Sequence, residues 1–220
     1  LEEAGLPDGV VNLCPGAGAE FGAALVEHPQ TRFIAFTGSK AVGLQIHERA
    51  ARTQPGQHFI KRTILEMGGK DAIIVDNDCD LDAAVQGVVA SAFGFNGQKC
   101  SASSRVIVDA GIYDTFCDRL QAKVAKIKTG DPVENVYTGP VISEKAYRKA
   151  LGYIDIGKTE GTVLNGGQAV ETPEGGYYIA PTVIKDIAPA ARIAQEEIFG
   201  PVLAVIKSQN FDEALAIANN

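Results

Sequence analysis

One cysteine lies in a stretch of small and polar residues where a buried thiol would be out of place. Cys100 belongs to the segment G-F-N-G-Q-K-C-S-A-S-S-R at residues 94–105, with Lys99 before it and Ser101 after it. Free cysteines usually behave as small buried hydrophobic residues. A thiol among glycines and serines is instead typical of one that a reactant must reach, and the thiolate is its reactive form. The Cys100 backbone amide, at the start of a helical turn, would be a donor to an oxyanion.

A glutamate in an apolar setting is the second candidate for chemistry. Glu66 lies between Leu65 and Met67 and is followed by two glycines. Burial raises the pKa of a carboxyl group, which suits a general base that works near neutral pH. A salt-bridged or capping glutamate explains the local sequence equally well, so this residue alone leaves both interpretations open.

Two further segments suit a nucleotide. Gly38, Ser39 and Gly43 follow an apolar strand and open a helix, where free amides favour an anion such as a pyrophosphate. This segment lacks the G-x-G-x-x-G fingerprint, and an ordinary strand-to-helix turn would look similar. In E-E-I-F-G-P, the Glu197 carboxylate can accept from ribose hydroxyls and the Phe199 ring can pack on a flat ring. A solvated acidic turn is the alternative for that segment.

Strands and helices are expected to alternate around these residues, which predicts an α/β fold with a parallel sheet. The expected strands are 10–13, 32–37, 60–66, 72–75, 105–108, 162–164 and 177–184. Two of the expected helices end near residues 28 and 52. Three more are expected at 81–93, which has Asp80 as its N-cap, at 112–128 and at 143–158. The pair Gly68 and Gly69 permits a sharp change of direction and is the best domain boundary.

Composition and charge restrict the function. The chain has 220 residues and a net charge of −7, without a cluster of Lys and Arg, so no nucleic-acid partner is expected. Its longest apolar runs are too short to span a bilayer, so no membrane association is expected. Four cysteines without a C-x-x-C pair, and only three histidines, argue against a metal site. Scattered cysteines fit a reducing compartment, which predicts a cytoplasmic location.

Taken together and in order, four motifs resemble the aldehyde dehydrogenase superfamily over essentially the whole chain. The motifs are F-T-G-S-K-A-V-G (36–43), L-E-M-G-G-K (65–70), G-Q-K-C (97–100) and E-E-I-F-G-P-V (196–202). The separation of 34 positions between residues 66 and 100 also resembles that family. The resemblance implies an aldehyde dehydrogenase-like α/β fold. Residues 69–220 would form a parallel-sheet catalytic domain and residues 1–68 part of a Rossmann-like NAD-binding domain.

The resemblance also implies a reaction. Cys100 matches the nucleophile that attacks the aldehyde carbon and forms a thiohemiacetal and then, after hydride transfer to the nicotinamide, a thioester. Covalent catalysis of this kind divides one difficult oxidation into easier steps. Glu66 matches the base that activates water for hydrolysis, and it is a candidate to activate the thiol earlier.

The cofactor implied by the resemblance is NAD. Gly38, Ser39 and Gly43 match the pyrophosphate loop of the family. The Met67 carbonyl matches the acceptor for the nicotinamide amide, Glu197 the carboxylate on the nicotinamide ribose, and Phe199 the ring beside it. The ribose contacts that separate NAD from NADP precede this region in the family, so NADP stays open.

A narrower resemblance concerns the substrate. G-F-N-G-Q-K-C-S-A, E-M-G-G-K-D and Y-Y-I-A-P-T-V (177–183) look like the branch that oxidises L-glutamate γ-semialdehyde, the open form of 1-pyrroline-5-carboxylate, in proline and arginine breakdown. Ser101 is then a candidate donor to the substrate carboxylate. Oxidation of another small aldehyde such as succinate semialdehyde, a non-catalytic relative and a thiol hydrolase are the alternatives. Retention of Cys100 and Glu66 argues against the non-catalytic one.

The ends of the chain predict an internal piece of a longer protein. Its only methionine is Met67, and a helix-like pattern closes it at 214–220. In the family, the asparagine that donates to the oxyanion comes before this region. The loop that grips the substrate α-carboxylate and the strand that builds the oligomer follow it. We therefore expect this chain alone to be nearly inactive and its parent to be an active homo-oligomer.

Overall fold

The chain divides into two compact units in the computed structural model, which describes residues 2–173 and 175–220. The first unit is Leu1–Met67 and the second is Gly68–Asn220. The division therefore falls beside the glycine pair at 68 and 69. Within the described residues, every helix is too short or too polar to cross a membrane.

The first unit is built around one strand–helix–strand crossover. Its elements are a 3₁₀ turn (Glu2–Ala4), a π-helical turn (Gly18–Gly22), α1 (Ala23–Glu27), β1 (Phe33–Thr37), α2 (Lys40–Ala51) and β2 (Arg62–Glu66). The two strands pair in parallel, with Phe33 opposite Arg62 and Thr37 opposite Glu66. Their carboxyl ends therefore lie side by side.

The strand expected at residues 10–13 is wrong. These residues form a bend and irregular backbone, and Val10, Val11 and Leu13 are exposed. A strand needs a neighbour for its backbone amides and carbonyls. Among the described residues, the sheet of this unit contains β1 and β2 only, so the apolar run at 10–13 has no ladder to join.

The second unit contains a five-stranded sheet covered by helices. Its helices are α3 (Leu81–Phe93), α4 (Tyr113–Val124), α5 (Glu144–Glu160), α6 (Arg192–Gln195) and α7 (Phe211–Ala218), with 3₁₀ turns at Gly94–Gly97 and Pro132–Glu134. Its strands are β3 (Ala72–Val75), β4 (Arg105–Asp109), β5 (Thr162–Asn165), β6 (Ala169–Val170), β7 (Tyr178–Ile179), β8 (Thr182–Lys185) and β9 (Val202–Ser208). The order is β3-β4-β9-β8-β5, parallel except for β5, and β6 and β7 form a separate antiparallel pair.

Both faces of this sheet are buried, as parallel sheets require. Val106 and Val108 of β4 belong to a hydrophobic cluster with α3 and α4. Ile107, between them, belongs to a second cluster on the other face with α5, α6 and α7. The alternation follows from the two-residue period of a strand, and it explains why β4 is a continuous apolar run.

Local capping explains where two of the predicted helices begin. The Asp80 carboxylate accepts from the amides of Asp82 and Ala83 at 3.0 and 3.1 Å, and the Ser143 hydroxyl accepts from the amide of Ala146 at 3.2 Å. α4 ends at Val124, four residues before the predicted end. The amides of 126 and 127 bond to carbonyls three residues earlier, which closes a tight turn and stops the α-helical pattern.

Two strands differ from the prediction. The segment 177–184 forms two strands, β7 and β8, because Pro181 between them has no amide to donate to a ladder. β9 was not predicted, although it lies at the centre of the sheet between β4 and β8. Its run V-L-A-V-I at 202–206 is typical of a strand buried on both faces.

Candidate active site

Three candidate segments of the second unit converge at one edge of its sheet. Residues 68–71 precede β3, residues 94–104 precede β4, and residues 196–201 precede β9. Because β3, β4 and β9 are adjacent and parallel, these segments meet at the amino ends of the strands. The Asp71 carbonyl accepts from the amides of Ser104 and Arg105 at 3.1 and 3.2 Å, which joins the first segment to the second.

Cys100 lies on the connection between α3 and β4, residues 94–104, which we call the thiol loop. Its thiol is free and exposed, and Lys99 and Ser101 beside it are exposed as well. The chain becomes buried again at Ala102 and Ser103. The Ser103 amide donates to the Ser91 hydroxyl of α3 at 3.0 Å. The thiol is therefore accessible on a loop whose return is anchored, as a nucleophile requires.

Two side-chain amides tie this loop to residues 139–142. Asn96 is buried, and its Nδ2 donates to the carbonyls of Gly139 and Pro140 at 2.9 Å each. The Gln98 Oε1 accepts from the Ile142 amide at 2.9 Å. These contacts join parts of the chain more than 40 positions apart, and they hold the backbone that leads to Cys100.

Gly97 packs against the turn that carries Glu197. It has a φ of +66°, which is in the left-handed region that favours glycine. A Cβ at this position would overlap the Gly200 carbonyl oxygen and would lie 3.0 Å from the Ala92 carbonyl oxygen. Glycine therefore permits the close approach of two backbones, and this approach sets the distance between the thiol loop and the 196–201 turn.

The Glu197 carboxylate lies against the backbone of Gly68, where a Cβ would overlap it. It is half-buried and forms no ion pair within the described residues. Glu196, one residue earlier, is already engaged. Its carboxylate accepts from the Arg192 guanidinium at 2.9 Å and from the Tyr153 hydroxyl at 2.7 Å, which lowers its pKa to about 2. Of the two, Glu197 is the carboxylate available to a ligand.

An apolar cavity of about 420 Å³ adjoins the thiol loop. Its lining residues are Phe95, Gln98, Pro140, Val141, Ile142 and Phe199. Phe95 and Phe199 both have left-handed backbone conformations, with φ of +56° and +59°. Such conformations cost energy in residues other than glycine and concentrate at functional sites. A cavity of this size with aromatic walls suits a flat organic group.

In the first unit, the candidate residues meet at the carboxyl ends of β1 and β2. The Gly38 amide donates to the Glu66 carbonyl at 3.0 Å. Ser39 is the N-cap of α2, and its hydroxyl accepts from the Val42 amide at 3.4 Å, which leaves the hydroxyl proton free for another acceptor. A Cβ at Gly43 would lie 2.6 Å from the Met67 sulfur. Glycine at 43 therefore gives Met67 the space it occupies.

Glu66 differs from its expected surroundings. It is the last residue of β2, and its side chain is exposed. The buried setting, one of the two interpretations left open for this residue, is not found in the described chain, because alternate residues of β2 are exposed. Leu65, the preceding residue of β2, is partly buried and lies on the other face of the strand.

Sequence reasoning also missed the residues that hold the site. Asn96, Gln98, Lys70 and residues 139–142 were not singled out. A left-handed pair at 95–96 before Gly97 leaves no signal in composition, and the partners of the amides are remote in sequence. Among the described residues, no cluster of three His, Cys, Asp or Glu side chains is placed to hold a metal ion.

Comparison with known proteins shows consistent similarity. A family model described as "Aldehyde dehydrogenase family" matches residues 1–220. The chain is 56% identical to a 1-pyrroline-5-carboxylate dehydrogenase of Geobacillus thermodenitrificans, over all of this chain and 42% of that protein.

Solved structures give the same result for the fold. A 1-pyrroline-5-carboxylate dehydrogenase from Thermus with bound NAD matches 99% of this chain and 42% of its own, with a TM-score of 0.96 and 55% identity. A γ-glutamyl-γ-aminobutyraldehyde dehydrogenase from Burkholderia cenocepacia matches all of this chain and 43% of its own, with a TM-score of 0.92 and 43% identity. The predicted α/β fold with a parallel sheet is thereby confirmed, and the chain spans less than half the length of these relatives.

Proposed function

The chain belongs to the aldehyde dehydrogenase family, and we propose on this basis that the protein containing it oxidises L-glutamate γ-semialdehyde to glutamate with NAD. L-glutamate γ-semialdehyde is the open form of 1-pyrroline-5-carboxylate. One observation carries the proposal: an exposed thiol, Cys100, lies on a loop that is hydrogen-bonded before it at Gln98 and after it at Ser103, in a chain 56% identical to a 1-pyrroline-5-carboxylate dehydrogenase. The domain assignment that follows is a cofactor-binding part at 1–68 and a thiol-bearing part at 69–220.

The residues of the first unit fit the phosphates of a dinucleotide. α2 has 12 residues, and amides at the start of such a helix favour negative charge. Gly38 and the Ser39 hydroxyl, with these amides, would hold the pyrophosphate. Gly43 contributes indirectly because it leaves space for Met67, whose carbonyl would accept from the nicotinamide amide.

The residues of the second unit fit the nicotinamide ribose. The Glu197 carboxylate, which has no ion-pair partner in the described residues, would accept from the two ribose hydroxyls. The Phe199 ring, on the wall of the apolar cavity, would pack beside the nicotinamide. We name NAD because the Thermus relative was solved with it bound. When bound, it supplies the acceptor for the hydride that leaves the substrate carbon.

In the first half of the reaction, the Cys100 thiolate adds to the aldehyde carbon. A carbon–sulfur bond forms, and the carbonyl oxygen becomes the oxyanion of a thiohemiacetal. Within the described residues, the Cys100 amide donates to no protein acceptor, so it is free to bind this oxyanion. Loss of hydride from the same carbon then leaves a thioester on Cys100.

In the second half, water replaces the thiol. Glu66 takes a proton from the water, whose oxygen attacks the thioester carbon. The carbon–sulfur bond breaks, the Cys100 thiolate is restored, and glutamate leaves after its new carboxyl group gives the second proton of the water to solvent. The Glu66 side chain is exposed at the end of β2, so a water molecule can reach its carboxylate.

Ser101 is proposed to select the substrate. Its side chain is exposed next to Cys100, so its hydroxyl can donate to the carboxylate at the far end of the semialdehyde. Oxidation of a different aldehyde is the second candidate function. It is favoured by the 43% identity and TM-score of 0.92 with the Burkholderia γ-glutamyl-γ-aminobutyraldehyde dehydrogenase, because that similarity covers all of this chain.

Two further proposals accompany the reaction. Homo-oligomer formation rests on the resemblance to the family. A cytoplasmic location rests on the four free cysteines, Cys14, Cys79, Cys100 and Cys117, since disulfides form mainly in oxidising compartments.

The test is formation of reduced nicotinamide by the full-length protein that contains this chain. The substrates are pyrroline-5-carboxylate, succinate semialdehyde and a plain alkyl aldehyde. Cys100→Ala should abolish turnover, whereas Cys14→Ala, which removes another exposed thiol, should leave it unchanged. Preference for the first substrate supports the whole proposal, and activity on the others alone contradicts the choice of substrate. Full activity of Cys100→Ala would disprove the mechanism.

A further inference from the structure

Glu197 is delivered to the site by a very short helix. α6 spans only Arg192–Gln195 and leads directly into Glu196 and Glu197. The Glu160 carboxylate of α5 accepts from the first two amides of this helix at 2.9 and 3.1 Å. A one-turn helix has few bonds of its own, so its position depends on side chains that reach it from other elements.

Lys70 is the second side chain that holds α6. It follows the Gly68–Gly69 pair, and its Nζ donates to the Ile193 carbonyl of α6 at 2.9 Å. The Glu197 carboxylate lies against Gly68, two residues before Lys70. Lys70 therefore contacts the helix that leads into Glu197. It also belongs to the segment 68–71, which contains the Gly68 backbone in contact with the Glu197 carboxylate.

Lys70 and Glu197 carry opposite charges and are near enough to attract each other, without a direct ion pair in the described residues. Arg105 of β4 is also near, but its guanidinium donates to the carbonyls of Lys70, Ile217 and Ala218 at 2.9, 3.2 and 3.1 Å. The negative charge of Asp71 stabilises the charged form of the Arg105 guanidinium. Lys149 of α5 also faces Lys70 as a like charge, with its Nζ 5.8 Å from the centre of the Tyr153 ring. Among the charged groups of the described residues that act on Lys70, Glu197 is the one of opposite sign.

We propose that Lys70 is a positioning residue for Glu197: its ammonium holds α6 at the Ile193 carbonyl and keeps the Glu197 carboxylate oriented toward the cofactor ribose. This inference rests on the proposed function, because it takes Glu197 to be the carboxylate that binds the nicotinamide ribose. It assigns to Lys70 an effect on the affinity for NAD and none on the reactivity of Cys100.

The affinity for NAD should depend on pH through the charge of Lys70. Burial, with the like charges of Arg105 and Lys149, lowers the pKa of Lys70 to about 8, although Glu197 opposes the shift. As the pH rises through 8, Lys70 loses its charge, and Glu197 loses the cation that attracts it. The dissociation constant for NAD should therefore rise above pH 8.

The experiment measures NAD binding by isothermal titration calorimetry, with the full-length protein, between pH 6.5 and 9.5. Lys70→Met keeps the length of the side chain and removes its charge and its donor. It should raise the dissociation constant at pH 7 about tenfold, the loss expected for one hydrogen bond to a charged group. The rate at which a thiol reagent labels Cys100 should stay within twofold of the original protein.

Lys70→Arg supplies the decisive comparison. A guanidinium stays charged throughout this range, so this variant should bind NAD at pH 7 nearly as the original protein does and should lose the weakening above pH 8. Lys158→Met is the matched control, since it removes an exposed lysine whose partner is Asp155 on the same helix. It should leave both the affinity and its pH dependence unchanged.

The outcomes separate this inference from the proposed function. If the original protein binds no NAD at any pH, the proposed function fails first. If it binds NAD, but the affinity of Lys70→Met and its pH profile match those of the original protein, the role of Lys70 is disproved. Should Lys70→Met fail to fold, the pH profile of Lys70→Arg decides alone, and a profile that still weakens above pH 8 contradicts the proposal.

Discussion

The sharpest structural test of the site is the addition of one methyl group at Gly97. In Gly97→Ala the new Cβ overlaps the Gly200 carbonyl oxygen and comes within 3.0 Å of the Ala92 carbonyl oxygen. Both are backbone atoms, so neither can rotate away as a side chain would. The φ of +66° adds a second cost, since a left-handed backbone is unfavourable for alanine.

These two effects determine how much the free energy of unfolding falls in Gly97→Ala. A left-handed conformation costs roughly 1–2 kcal/mol in a residue other than glycine. Insertion of a methyl group into a close-packed contact typically costs a further 1–3 kcal/mol or so. Gly97→Ala should therefore lower the free energy of unfolding by about 2–5 kcal/mol, which a urea titration followed by circular dichroism will show as an earlier midpoint.

Gly94→Ala is the matched control for this change. It adds the same methyl group three residues earlier in the same loop. Among the described residues, no atom lies within 4 Å of its new Cβ, and its φ of −55° is ordinary for alanine. It should leave the midpoint almost unchanged. Equal midpoints for the two variants would refute the argument that Gly97 is required by close backbone approach.

Two further predictions concern the carboxylate and a buried thiol. Gly68→Ala should displace the Glu197 carboxylate, which can rotate away, so we expect weaker NAD binding in calorimetry with little loss of stability. Gly69→Ala is the control, because its Cβ makes an ordinary contact at 3.5 Å, and it should change neither the affinity nor the stability. Burial raises the pKa of Cys117 to about 11, whereas an unfolded cysteine has a pKa of about 8.5. Between these values the unfolded state binds fewer protons, so stability should fall with rising pH, by about 2–3 kcal/mol from this thiol. Urea titrations of the original protein and Cys117→Ala at pH 8 and 10.5 should show a smaller loss in the variant, and equal losses would contradict the assignment.

Elements with signals in their own sequence could be predicted. α3 begins after Asp80 and α5 after Ser143 because each cap bonds an amide two or three residues later, which a short window of sequence reveals. The strand expected at 10–13 was wrong for the opposite reason. Its apolar residues favour a strand, but a strand also requires a neighbouring strand to complete its hydrogen bonds. Whether such a neighbour is present depends on the fold and not on the local sequence.

The candidate site was predictable only in part. Cys100, Glu197 and Phe199 stand out because a thiol, a carboxylate and an aromatic ring lie in segments rich in glycine or polar residues. The side-chain amides that hold the thiol loop do not stand out. Asn96 bonds to carbonyls 43 and 44 positions away, and no local pattern specifies such a pair. β9 shows a third case, since its apolar run was visible and was overlooked.

The central claim is that Cys100 carries the acyl group and that Glu66 activates the water that releases it. The most direct measurement is peptide mass spectrometry of full-length Glu66→Gln after incubation with NAD and pyrroline-5-carboxylate. We expect an acyl adduct to accumulate on the peptide with Cys100, and the peptides with Cys14, Cys79 and Cys117 to stay unmodified. An adduct on one of those cysteines instead, or undiminished release of glutamate by Glu66→Gln without an adduct, would contradict it.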